Sequence, residues 1–94
     1  MSAYIIAGIH VTDPDDYVNY ASQTVKSAEK AGGKFLVKGG EQDVIEGTAP
    51  GRHAVIEFPS KQAALDWYNS EEYQAILPIA LRASDRYFMI VEGV

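Results

Sequence analysis

Two stretches near opposite ends of the chain, "YIIAGIHV" (residues 4–11) and "RYFMIVEG" (residues 86–93), are apolar on both of their alternating faces. In the first, Ile5, Ala7, Ile9 and Val11 fall on one side and Tyr4, Ile6, Gly8 and His10 on the other. A strand of this kind has no solvent side, so the sheet that contains it must be covered twice. A chain of 94 residues has few elements with which to do so, and it buries only about 60–65% of its unfolded surface by itself.

Between these strands the pattern changes period. "DPDDYVNYASQTVKSAEKAGG" predicts a helix with Asp13 as N-cap, Pro14 at the first helical position, Asp15 and Asp16 in the first turn and Gly32 as the stop. Tyr17, Tyr20, Ala21, Thr24, Val25 and Ala28 form the stripe that faces the sheet. "KFLVKGGEQDVIEG" reads as a strand interrupted at Gly39 and Gly40 by a bulge or tight bend, "TAPG" as a turn and "RHAVIEF" as a third strand. Ser60 N-caps a second helical region that restarts at Ser70 and ends near Ser84, with a kink or break expected at Pro78.

The resulting order, β-α-β-β-α-β, is the α+β ferredoxin-like arrangement: one domain over residues 1–94, with helices on one face of a four-stranded antiparallel sheet. The helices cannot cover the second face, which Tyr87, Met89 and Val91 make apolar. Such a patch marks an association surface. The expectation is a homodimer packed sheet to sheet about a two-fold axis.

Charge and composition remove whole classes of function. Thirteen acidic against eight basic side chains give a net charge of −5, which repels phosphate backbones and argues against a nucleic-acid partner. Without cysteine there is no disulfide, thiolate nucleophile or cysteine zinc site. The apolar runs are too short to span a bilayer, and "MSAYIIAGIHV" lacks the cationic start and cleavage site of a signal peptide. The expected setting is the cytoplasm, with no membrane partner.

The segments "GGKFLVKGG", "VIEG" and "VIEFPSKQAALDWYNSEEYQ", with the closing run from Arg86 to "VEG", resemble the DUF1330 family of the dimeric α/β-barrel superfamily over essentially the whole chain. The resemblance implies a ferredoxin-like subunit that pairs into a dimeric α/β barrel. It implies no reaction. Relatives within the superfamily include cofactor-independent monooxygenases, lactone isomerases, haem-handling enzymes and ligand-sensing domains, so function has to come from the site.

Antiparallel pairing in this order brings the end of strand one and the starts of strands three and four to one sheet edge. His10, Arg52, His53 and Arg86 gather there, with Arg82 arriving from the second helical region. As a functional cluster, Arg82 and Arg86 would grip a planar oxyanion; as a structural one, the cations would pair with Asp13, Asp15, Asp16 or Glu46. Glu57, set between Ile56 and Phe58, reads as a general base or ligand-fixing carboxylate, or else as an ion-paired group facing Lys34, Lys38 or a second subunit. His10 is a candidate acid/base group or an inert strand-end histidine. Tyr20, Trp67 and Tyr68 are candidate walls for a flat ligand, or core residues at helical spacing.

Two histidines 43 residues apart are a weak metal signal, and no phosphate loop, dinucleotide fingerprint or nucleophile elbow occurs. No cofactor is expected. The leading functional expectation is a small-molecule-binding protein, with Glu57 or His10 moving a proton on a small anionic substrate in isomerase-like or monooxygenase-like chemistry without cofactor. The alternatives are a non-catalytic ligand-binding or stress-associated dimeric module, and a purely structural association domain. The volume between helices and sheet separates the last from the others.

Overall fold

A computed structural model describes all 94 residues. The elements run β1 (Ala3–Val11), α1 (Pro14–Lys30), β2 (Lys34–Lys38), β3 (Arg52–Phe58), α2 (Lys61–Tyr68), α3 (Glu71–Ala83) and β4 (Ser84–Glu92). The four strands form one antiparallel sheet in the order β2-β3-β1-β4. The two strands apolar on both faces are thus neighbours, with β1 central and β4 at an edge.

The helix starts follow from their caps. Asp13 accepts from the Asp16 amide at 3.2 Å, Ser60 from the Ala63 amide at 3.0 Å and Ser70 from the Tyr73 amide at 3.2 Å, and each satisfies a donor that a first helical turn leaves unpaired. Beyond α1, Gly32 takes φ +95° and turns the chain into β2. Pro78 does not interrupt α3. It sits on the exposed side of the helix, where the carbonyl that loses its partner can bond water instead.

The strand expected from Lys34 onward is shorter than its apolar pattern indicates. It ends at Lys38, and its irregularity falls between Phe35 and Val37 rather than at the glycines. Residues 39–51 cross to β3 without regular structure. Gly39, at φ +66°, lies against the Arg52 guanidinium where a Cβ would collide. Gln42 ties the segment down by donating to the Pro50 carbonyl at 2.8 Å and placing its amide oxygen 2.8 Å from His53 Nδ1. His53 therefore donates through Nδ1 to Gln42, and its Nε2 lies 2.9 Å from the Tyr87 hydroxyl.

All three helices cover one face of the sheet. The core beneath them joins Ile5, Ala7, Ile9, Ile56 and Phe58 of the strands to Tyr20, Trp67, Tyr73 and Ile76 of the helices. The other face carries Tyr4, Ile6, Val55, Tyr87, Met89 and Val91 with no layer upon it, and Tyr87, Met89 and Val91 are exposed. The molecule is accordingly flat, 31 × 30 × 17 Å. No helix is long and apolar enough to cross a membrane.

Candidate functional site

Strand register lays out the helix-facing surface in rows. At one end Ile9 lies between Arg52 of β3 and Arg86 of β4. In the next row Lys38, Ala54, Ala7 and Phe88 stand side by side, and beyond them come Phe35, Ile56, Ile5 and Ile90. The two alanines at the centre leave space where larger side chains would fill it. Helix α1 leans on α3 and meets the sheet chiefly at β2, so the space stays open beneath it as a cavity of about 530 Å³.

Eighteen residues line this cavity, twelve of them hydrophobic, and none is acidic or a histidine. Its charges are all positive: Lys26, Lys38, Arg52 and Arg86. In a chain of net charge −5 that segregation is local and marked. The ion pairs of the molecule, Lys30 with Glu72 and Arg82 with Asp16, leave both cavity arginines without a carboxylate.

Arg86 is held by tyrosines instead. Its guanidinium donates to the Tyr20 and Tyr73 hydroxyls, each at 3.0 Å, and those hydroxyls lie 2.7 Å from one another. Its charge also sits over the rings of Tyr20 at 5.1 Å and Phe88 at 4.9 Å, a favourable placement for a cation on an aromatic face. Burial works against the charge, but the tyrosine oxygens outweigh it and hold Arg86 more firmly protonated than usual. Burial, and then the neighbouring Tyr20 hydroxyl, push the Tyr73 phenol far up despite Arg86. Tyr17 is raised as well, by burial and then Tyr20, against the pull of Arg86 and Arg52. At neutral pH the site holds a fixed cation beside the protonated phenols of Tyr17 and Tyr73.

Of the residues singled out from sequence, Tyr20, Arg52 and Arg86 meet at this cavity, and the other site candidates lie elsewhere. Period-two alternation puts Glu57 on the uncovered face, opposite Tyr4 and Lys34, where it accepts from the Tyr4 hydroxyl at 3.4 Å. The same alternation puts exposed His10 beside Asp85, so the sheet itself separates both groups from the cavity. Arg82 clips α3 to the start of α1 through two hydrogen bonds to Asp16, at 2.6 and 3.1 Å. Trp67 is buried, donates to Ser27 Oγ at 2.9 Å and packs between Phe58 and Tyr73. Tyr68 stands behind the cavity wall, against Tyr73 and Phe88.

Sequence reasoning passed over Tyr73 and the two alanines, and it offered Lys38 as a partner of Glu57, whereas Lys38 lines the cavity and Glu57 lies on the other face of the sheet. Tyr73 does carry a signal: it shares the buried stripe of α3 with Ile76, Leu77 and Ala80, and a buried phenol needs a polar partner. The alanines carry none, because their meaning depends on which residues lie across from them.

Residues 2–94 match a family model described as "Domain of unknown function (DUF1330)". No curated protein matches the sequence. Among solved structures, RPA0582 from Rhodopseudomonas palustris, a protein of unknown function, superposes with a TM-score of 0.79 at 14% identity, covering 99% of this chain and 82% of that one. A dimeric ferredoxin-like protein of unknown function from Jannaschia sp. CCS1 gives 0.80 at 10% identity, covering 99% and 100%. SnoaB, a cofactor-independent oxygenase from Streptomyces nogalater, gives 0.74 at 6% identity, covering 99% and 93%. At such identities the shared property is the fold.

Proposed function

Because the chain belongs to the DUF1330 family, whose description assigns no activity, its role must be read from the site, and we propose that each subunit binds a small, partly apolar organic anion beneath α1. The observation that carries this reading is the acid-free cavity with Arg86 on its wall and no carboxylate to neutralise it. Two hydroxyls and two ring faces hold the Arg86 charge in place without neutralising it, so an anion entering the cavity meets a full positive charge. Concave, mostly apolar walls with a few convergent polar groups are what ligand sites share. A cavity of this size also favours binding over a purely structural role.

Binding is favoured over proton abstraction for a related reason. A general base must reach the proton it removes, yet the lining offers neither carboxylate nor histidine, and Glu57 and His10 face away across the sheet. If the protein does act as an enzyme, the ligand's own reactivity has to supply what the walls lack.

The uncovered sheet face supports the second half of the proposal, a homodimer joined through it. Four strands spaced about 4.8 Å apart and up to about 30 Å long present on the order of 500 Å². Pairing two such faces, with loops added, reaches the roughly 1,000 Å² that a specific interface needs. Two sheets so joined would form a dimeric α/β barrel, with one cavity on the outer side of each. The dimeric description of the Jannaschia protein supports the same reading.

The test is titration of isotope-labelled protein with 4-phenylbutanoate, followed by amide chemical shifts in the wild type and in Arg86→Met. Shifts centred on Ala7, Tyr20, Ala54 and Phe88, weakened at least tenfold in the variant, are expected. Shifts confined to the uncovered face, or equal affinity in the variant, would refute the binding site.

A further inference from the structure

The hydroxyl pair beside Arg86 holds two protons and one contact between them. Arginine donates and cannot accept, so only one of the two phenolic protons can be used within the pair. The other has no acceptor among the protein groups bonded to these tyrosines. Two arrangements remain. If Tyr20 donates to Tyr73, the unused proton belongs to Tyr73, which is fully buried and outside the cavity lining. If Tyr73 donates to Tyr20, the unused proton belongs to Tyr20, which is also buried but lines the cavity. Leaving a buried donor unmade costs far more than presenting one to a ligand or solvent, so the second arrangement prevails.

The Tyr20 oxygen is then saturated, with one lone pair taken by Tyr73 and the other by Arg86, and its hydrogen points into the cavity. The neighbouring Arg86 and Arg52 are donors as well, as are Lys26 and Lys38. Thr24 and Ser22 already donate to the backbone carbonyls of Tyr20 and Asn19. Their oxygens and the Tyr17 hydroxyl can still accept, but the polar end is rich in donors and sets four positive charges against no negative one.

From this we infer that the cavity is a carboxylate subsite selective for acceptor-only head groups, in which Arg86 and the Tyr20 hydroxyl bind the oxyanion and buried Tyr73 is the positioning residue that turns the Tyr20 proton toward it. The inference rests on the binding reading above and narrows it to a ligand class: monocarboxylates with an apolar body lying over Ala7 and Ala54 toward Ile5, Ile56 and Phe35. Alcohols and primary amides of the same shape bring no negative charge to Arg86 and the Tyr20 hydrogen, and amines bring a positive one among four cations. Such a mismatch discriminates more strongly than a change of apolar bulk.

The test uses four matched probes, 4-phenylbutanoate, 4-phenylbutanamide, 4-phenylbutan-1-ol and 4-phenylbutylamine, titrated into the intact protein by calorimetry. The carboxylate should bind at least about tenfold more tightly than each of the others, and its affinity should fall as pH drops through the ligand's own carboxyl pKa. Tyr20→Phe should weaken the carboxylate about tenfold. Tyr73→Phe should shrink the carboxylate-to-alcohol ratio, because the Tyr20 hydroxyl, no longer fixed by Tyr73, can rotate and turn a lone pair toward the alcohol. A merely structural Tyr73 would weaken all probes alike and leave that ratio unmoved, which overturns its positioning role; thermal melting of both variants controls for folding. Equal wild-type affinity for carboxylate and alcohol overturns the inference while leaving the binding site intact. Failure of all four probes would overturn both.

Discussion

Replacing Ala54 by leucine tests whether the space beneath α1 is real and whether ligand uses it. Ala54 lies mid-strand in β3 between Ala7 and Lys38, on the cavity floor. Leucine adds three carbons, which are few beside 530 Å³. At roughly 0.8 kcal/mol for each buried methylene the gain is about 2.4 kcal/mol, less roughly 0.5–1 kcal/mol of lost rotamer freedom. The net expectation is stabilisation by about 1.5 kcal/mol, or a melting temperature roughly 6–12 °C higher for a domain of this length. The same substitution in a closely packed interior costs about 1–3 kcal/mol through overpacking, so the sign of the change decides. Urea unfolding followed by circular dichroism, at matched protomer concentration because association adds to apparent stability, gives the first reading. Calorimetric titration with 4-phenylbutanoate gives the second, with affinity expected to fall at least tenfold. Destabilisation would refute the cavity; stabilisation with unchanged affinity would place the ligand elsewhere.

Three further substitutions probe the remaining surfaces. Glu57→Gln should leave 4-phenylbutanoate affinity within about twofold, since the sheet separates position 57 from the cavity; a loss greater than tenfold in the titration would return Glu57 to the site. At Gly8 the Tyr87 ring lies where a Cβ would stand, so Gly8→Ala should swing the ring outward, break its bond to His53 and raise the dimer dissociation constant at least tenfold by sedimentation; unaltered association would exclude this face as the interface. Asp16 is held below the usual carboxylate range, first by its hydrogen bond from Arg82. A depressed folded pKa contributes stability that is fully present above the unfolded value near 3.8 and is lost as pH falls through the lowered one. Asp16→Asn should therefore lower the melting temperature at pH 7 and narrow the gap to wild type below pH 3; a gap that does not change with pH would show that the ion pair contributes nothing.

The architecture was legible because each clue to it is local. Asp13, Ser60 and Ser70 announce helix starts by residue type alone, and the doubly apolar runs at residues 4–11 and 86–93 mark strands covered on both sides. Pro78 misled because its effect depends on which side of α3 it occupies, and a helix tolerates the missing donor where the orphaned carbonyl faces water. The strand after Gly33 was overread for a comparable reason: Val44 and Ile45 continue an apolar pattern, yet both are exposed in the crossing to β3, where no neighbouring strand pairs with them.

The site was legible only in part, and the reason is parity. His10, Arg52, His53 and Arg86 do converge on one edge of the sheet, as antiparallel order requires, but an edge has two faces. Arg52 and Arg86 pair across Ile9, while His53 and Tyr87 flank Gly8, one position earlier, so the cluster divides into a cationic pair under the helices and two histidines, His10 and His53, outside. One residue of register determines that division, and nothing local to Arg86 or His53 reveals it. The same step carries Glu57 to the far side, despite its apolar neighbours in sequence. Those neighbours face the core; the glutamate between them faces the surface that a second copy would cover. A carboxylate flanked by apolar residues in a strand is therefore weak grounds for assigning a buried base until the partner strand fixes which face it shares. In this chain the charge set on the core side is the half-buried Arg86, whose flanking residues give no hint of it.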